Sequence, residues 1–263
     1  MVEAVEKDKQ KILHYLRGNL ADCLYLYIDI MNYGIGTENM KVWIEEESGS
    51  LSLVVMKYYD SFQIYSHPSL CDITPVVELL KQFPVAMISG KKDMIQLLEN
   101  ECKEYKAAYG MVFVMDRYRN IQTDVDVQPA TEEDALEIAE LICSDVELGG
   151  HYTVSNLAEQ LAERIRTKTG RSYIIREKGV IVAHSATYAE AEGIAVVSGT
   201  IIKPEYRTGN YYMALSNHML QQLEKESKVA YTFSITNKMI RYHSMLHTRC
   251  GEYGKLVKIQ MHE

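Results

Sequence analysis

The chain has 263 residues, 47% of them hydrophobic and 24% charged, the balance of an ordinary soluble globular protein. Lys and Arg number 28 against 36 Asp and Glu, a net charge of −8, which argues against a protein devoted to nucleic acid or to an anionic membrane. The charged start MVEAVEKDKQ and the lack of any apolar run of about 18 residues predict a cytoplasmic protein with no signal peptide or membrane helix. Five cysteines without a CxxC spacing predict free thiols in a reducing compartment. Without a low-complexity linker, any domain boundary lies in a short ordered connection.

In chain order, the first half reads as helices near residues 8–18 and 21–32, strands near 40–46, 51–58 and 62–66, a helix near 74–82, a strand at 85–89, a helix at 91–99 and a strand at 111–115. The second half opens at Thr131, an N-cap followed by acidic Asp134 three residues on. Ala135, Ile138, Ala139 and Ile142 then form one apolar stripe, and Val154, Leu157, Ala158, Leu161, Ala162 and Ile165 form a second. Strands rich in Val, Ile, Tyr and Thr follow at about 172–176, 180–188 and 194–202, with Glu177-Lys178-Gly179 as a turn. The run Ile194 to Ile202 is apolar on both faces, as a strand covered by two layers must be. A long helix carrying Tyr212, Leu215, Met219 and Leu223, a strand at 229–235, a helix at 238–248 and a strand at 255–260 complete the chain.

Both halves therefore read helix, helix, three strands, helix, strand, helix, strand. Met87-Ile88-Ser89-Gly90-Lys91 and Ser234-Ile235-Thr236-Asn237-Lys238, each followed by Met-Ile, echo one another at the same junction. The expectation is an α/β (α+β mixed-sheet) protein of two related domains, residues 1–124 and 125–263, each a mostly antiparallel sheet flanked by helices.

Chemistry concentrates where the Ile194 to Ile202 strand ends. Lys203-Pro204-Glu205-Tyr206-Arg207-Thr208-Gly209-Asn210-Tyr211-Tyr212 joins it to a helix N-terminus, where unpaired N–H groups and the helix dipole favour a phosphate. This segment resembles the acetyl-CoA pyrophosphate loop of the GNAT acyltransferase superfamily, an Arg or Gln followed by x-x-Gly-x-Gly or Ala. The resemblance extends to the element order of residues 125 to 260. It implies that residues 207–212 cradle the pyrophosphate of acetyl-CoA, the acyl donor, and that Ile201, Ile202 and Lys203 hold pantetheine and the oxyanion by their main chain. It also implies that Asn237 bonds pantetheine.

Two departures stand out. In register with Arg207, Asn210 replaces the family's first Gly and Tyr212 its second small residue. Ser244 occupies the position of the Tyr that commonly protonates the departing thiolate, and Tyr242 is the nearby substitute. The amine must also lose a proton, and Glu192 and His184 are the candidate bases, with Glu190 beside them. His243 and His247, at i and i+4, lack a third ligand, so no metal is expected.

No Gly-x-Ser-x-Gly elbow or Gly-x4-Gly-Lys loop is present. The first half carries His67-Pro68-Ser69-Leu70 where an Arg-led loop would stand, and reads as a degenerate GNAT-like domain that shapes the acceptor pocket, mediates homodimerisation or binds a regulator. Its tandem arrangement is similar to that of glycine N-acyltransferase relatives and peptidoglycan-bridge aminoacyltransferases. The expected function is an N-acetyltransferase acting on a primary amine of a small molecule or peptide, with neither nucleic acid nor membrane as partner. The acidic surface hints at a cationic amine. The alternative is a catalytically inactive CoA-binding or protein-interaction module.

Overall fold

A computed structural model describes residues 1–37, 39–67, 72–116, 123–150, 152–207 and 210–259. Contacts gather into two compact units. The first comprises Met1–Phe113, Phe233–Met245 and the chain from Arg249 on; the second comprises Val114–Thr232 and Leu246–Thr248.

In the first unit, helices α1 (Lys9–Arg17) and α2 (Leu24–Tyr33) accompany strands β1 (Val2–Glu3), β2 (Met40–Glu47), β3 (Ser50–Tyr58) and β4 (Ser61–Ser66). Then come α3 (Thr74–Leu80), β5 (Met87–Lys91), α4 (Lys92–Glu101) and β6 (Tyr105–Val114). Three antiparallel pairings build the β1 to β4 run, and β5 adds parallel to β4 with Phe62 opposite Ile88. Trp43 stacks on Phe62 in the core that also holds Leu53, Ile64, Val76 and Leu98.

The chain's last elements, α9 (Asn237–Leu246) and β12 (Thr248–Lys258), lie almost entirely in this unit. β12 is inserted between β5 and β6, antiparallel to β5 with Leu256 opposite Ile88. The sequence gives no hint of this, because alternating polarity states which face of a strand is buried and not which strand lies beside it. The strand expected at 255–260 also begins earlier, at Thr248, where the Asp116 carboxylate accepts the backbone N–H (3.1 Å) and the hydroxyl of Thr248. The helix before it ends at Leu246.

The second unit carries β7 (Gln128–Pro129), α5 (Ala135–Cys143), α6 (Val146–Gly149), α7 (Val154–Thr167), β8 (Ser172–Glu177), β9 (Val180–Ala191), β10 (Ile194–Ile202), α8 (Tyr211–Lys225) and β11 (Val229–Ser234). Its strand order is β11-β10-β9-β8-β7. The Asp134 carboxylate accepts the Thr131 N–H at 2.7 Å and so opens the α5 segment, while Thr153 caps α7 by accepting from the Asn156 N–H. Lys178 and Gly179 both take positive φ (52° and 84°) in the turn between β8 and β9, the backbone that a two-residue hairpin turn requires.

Two cores sandwich β10. Ala195 and Val197 join Leu215, Met219 and Leu223 of α8 on one face. Ile201 joins Ile138, Leu157 and Leu161 of α5 and α7 on the other. Residues 195, 197 and 201 would share a face in a regular strand, so their division requires an extra residue between them. The register supplies it: Ser198 pairs with Ala186 and Ile201 with His184, three steps along β10 against two along β9. Gly199, at φ 65°, occupies this bulge.

Leu256 is fully buried in the first unit's core. Leu256→Ala is expected to cost about 2–5 kcal/mol in denaturant unfolding and to accelerate amide exchange in β5 while leaving β9 protected.

Candidate active site in the second unit

β10 and β11 run parallel and pair only at Ile194↔Val229, Ala195↔Ala230 and Val196↔Tyr231. Beyond Val196 the backbone of β10 continues to Ile202 paired, among the described residues, with β9 alone. A strand edge of this kind offers N–H and C=O groups to an extended ligand. Past it, Lys203 donates its N–H to the Val182 carbonyl, Pro204–Tyr206 make a 3-10 turn, and the 15-residue helix α8 begins at Tyr211.

Residues expected in the phosphate loop sort as follows. Ile201 is buried, while Ile202 and Lys203 are half-buried. Arg207 is exposed, its Nε donating to the Ile202 carbonyl at 3.0 Å and its guanidinium 3.6 Å from the Asp145 carboxylate. Thr208 and Gly209 lie outside the described residues. Asn210 stands at the helix N-cap with φ −81°, so the left-handed freedom of Asn is not used there. The ring packed on the α8 core is Tyr211, which lies 6.0 Å from the Tyr206 ring and donates to Glu177 at 2.7 Å. Tyr212 is half-buried beside it.

The candidate bases part company. His184 is fully buried, with Nδ1 2.9 Å from the Gly199 carbonyl and Nε2 3.2 Å from Ser172 Oγ. Burial outweighs the Gly199 bond and lowers its pKa to about 4. A ring sealed and bonded at both nitrogens fastens β8, β9 and β10 together, an environment unlike that of an accessible base. Glu192 is exposed in the turn that precedes β10, at the opposite end of that strand from Lys203, roughly 26 Å away at the rise of an extended strand. Glu190 is committed: Arg171 reaches it with two 2.7 Å bonds and Lys228 with one of 2.5 Å. Burial raises its pKa, but these donors and Thr187 outweigh it and hold the carboxyl below its usual value. Arg171 also grips Glu226, whose pKa falls to about 2 chiefly through that bond. This ion network borders a cleft of about 280 Å³ between Ala130, Ile165, Arg171 and Tyr173. Sequence reading missed it, since charges scattered over residues 171, 190, 226 and 228 form no local motif.

Asn237 and Tyr242 belong to the first unit. Asn237 is the first residue of α9, and Tyr242 is half-buried with its ring 5.6 Å from that of His243. His243 is buried and bonded to Ser234 Oγ at 2.6 Å. Ser244 donates to the Ile240 carbonyl. Among the described residues no group of three or more His, Cys, Asp or Glu is placed to hold a metal, and no helix is long and apolar enough to cross a membrane.

On the α5–α7 side of the bulge, Tyr188 is the extra residue of β9: Ala189 pairs with Val196 and Thr187 with Val197, leaving Tyr188 between them. Its hydroxyl lies against Gly199, where a Cβ would stand only 2.4 Å from it. Arg164 of α7 lies over the Tyr188 ring at 4.9 Å.

Neither a protein-family model nor a curated protein matches the sequence. Solved structures do. A GCN5-related N-acetyltransferase-like protein from Streptococcus suis aligns over 96% of this chain and 99% of its own at a TM-score of 0.62 and 11% identity. An acetyltransferase of the GNAT family from Colwellia psychrerythraea covers 95% and 97% at 0.58 and 10%. A tandem GNAT protein from the clavulanic acid biosynthesis pathway covers 99% of both chains at 0.57 and 11%. The likeness is one of fold: the fold of this chain is GNAT-like, and one of these neighbours is a tandem GNAT protein.

The buried His184 makes stability depend on pH. With a folded pKa of about 4 against 6.5, the unfolded chain takes up the proton first, so stability is full above pH 6.5 and falls as pH drops toward 4. Urea unfolding across that range is expected to show the decline, and His184→Gln to flatten it. The Glu226 contribution is separable because it is lost lower, between 4.5 and about 2.

Proposed function

We propose that the protein transfers an acetyl group from acetyl-CoA to a primary amine of a small molecule or peptide. The observation that carries this reading is the open edge of β10 from Val197 to Ile202, bulged at Gly199 and leading into the N-terminus of α8. A free strand edge suits the amides of pantetheine, and a helix N-terminus with an Arg beside it suits a pyrophosphate. The GNAT-like fold of the neighbours supports the same assignment.

Acetyl-CoA brings the acyl group as a thioester. The chain's part is to hold it and to exclude misorientation. With the Lys203 N–H held by Val182 and the Ile202 carbonyl by Arg207, the remaining main-chain groups of the Ile201–Ile202 end of β10 grip the extended arm, and a backbone N–H at the bulge meets the oxyanion that develops as the amine nitrogen attacks the carbonyl carbon. The carbon–sulfur bond then breaks, and the sulfur receives the proton that the amine gives up, leaving an amide and a free thiol. With His184 sealed and Glu190 paired, water carries that proton and positioning supplies most of the rate.

A second reading, an inactive CoA-binding module, is favoured by one residue: Tyr212, a half-buried ring where the family has a small residue. Calorimetric titration with acetyl-CoA tests both. Arg207→Glu is expected to weaken binding by about tenfold or more, and thiol release in the presence of amines is expected from the wild type. If the wild type binds acetyl-CoA and releases no thiol with any amine, the module reading replaces the enzyme. Tyr212→Ala is then expected to raise the affinity.

A further inference from the structure

Arg164 is an arginine in a position made for an apolar side chain. It follows Leu157 and Leu161 at i+7 and i+3 on α7, both of which are buried in the core, so the helix turns it inward. Its Nη2 donates to Gln160 Oε1 at 3.3 Å, while Nη1 is buried and has no hydrogen-bond partner among the described residues. The Tyr188 ring beneath it attracts the positive charge, but a ring face leaves the in-plane N–H groups of the fork unanswered. Among the described residues the other arginines of the second unit differ: Arg166, Arg171, Arg176 and Arg207 each pair with a carboxylate.

A buried N–H without an acceptor is costly, and the planar fork of arginine answers best to a carboxylate. The surroundings fix where that carboxylate would be. Tyr188 reaches Gly199 with its hydroxyl, so Arg164 stands one aromatic ring away from the bulge of β10. Tyr152, from the connection between α6 and α7, packs on the same core. Arg164, Tyr152 and Tyr188 are all half-buried. Burial raises the pKa of both phenols, which keeps them neutral beside the guanidinium.

We propose that Arg164, with Tyr188 beside it, binds the carboxylate of a small acceptor, so that the amine to be acylated belongs to an amino-acid-like molecule placed at the Gly199 bulge. This rests on the acyl-transfer reading for the role of the amine, and on Arg164 alone for the carboxylate.

The test uses matched acids and amides, alanine against alaninamide and phenylalanine against phenylalaninamide, on the full chain. Binding is measured by saturation-transfer NMR without acyl donor, and turnover by thiol release with acetyl-CoA. The acid of at least one pair is expected to bind and react about tenfold or more better than its amide. Arg164→Gln is expected to abolish the preference by weakening the acid alone, and Arg164→Lys to restore part of it. Acids that bind no better than their amides in the wild type, including the case in which neither binds, overturn the proposal without recourse to any variant. A preference that survives Arg164→Gln overturns it as well. Acid binding that depends on Arg164 without any thiol release upholds the carboxylate site and removes the transfer reading. Transfer that is indifferent to the carboxylate does the reverse.

Discussion

Everything in the second unit turns on β10 being covered on both faces while bonded along only part of one edge. Ala195 and Val197 anchor one face under α8, Ile201 anchors the other under α5 and α7, and the bulge at Gly199 is what permits both. A strand held so firmly by its side chains tolerates losing a neighbour beyond Val196, because burial and not the ladder keeps it in place. Unanswered backbone groups in a protein interior are a cost. Here the stretch of β10 that runs on without β11 is confined to one end of the strand, and a strand end of that kind suits an extended ligand.

The bulges do more than rescue register. One extra residue in β10 is answered by one in β9, and the second of these is Tyr188. Side chains that would alternate regularly are thereby re-aimed: Tyr188 toward Gly199, His184 toward the Gly199 carbonyl. The absence of a side chain at Gly199 is what lets Tyr188 approach, since any Cβ would collide with the phenol.

Much of this was legible in the chain. The apolar stripes of α5 and α7, the turn at Lys178-Gly179 and the two-faced apolar run of β10 are local patterns, and local patterns carry helix and strand identity. Partnership is not local. Nothing in Thr248 to Lys258 states that it belongs between β5 and β6, nor that four charges drawn from residues 171 to 228 meet. His184 and Glu192 illustrate the same limit: each residue type suits a base, but only the fold shows one sealed between strands and the other at the end of β10 away from Lys203. Arg164 is the opposite case, for a cation falling in line with Leu157 and Leu161 is visible in the sequence and marks a helix that turns a charge inward.

The insertion of β12 beside β5 also bears on how the protein is made. A sheet that waits for residues near 258 stays unfinished while the intervening 130 or so residues emerge and fold, at roughly 5–20 residues per second of synthesis. During those seconds β5 and β6 carry open edges of the sort that recruit foreign strands. The order of synthesis thus leaves the sheet of the first unit as the last part of the chain to close.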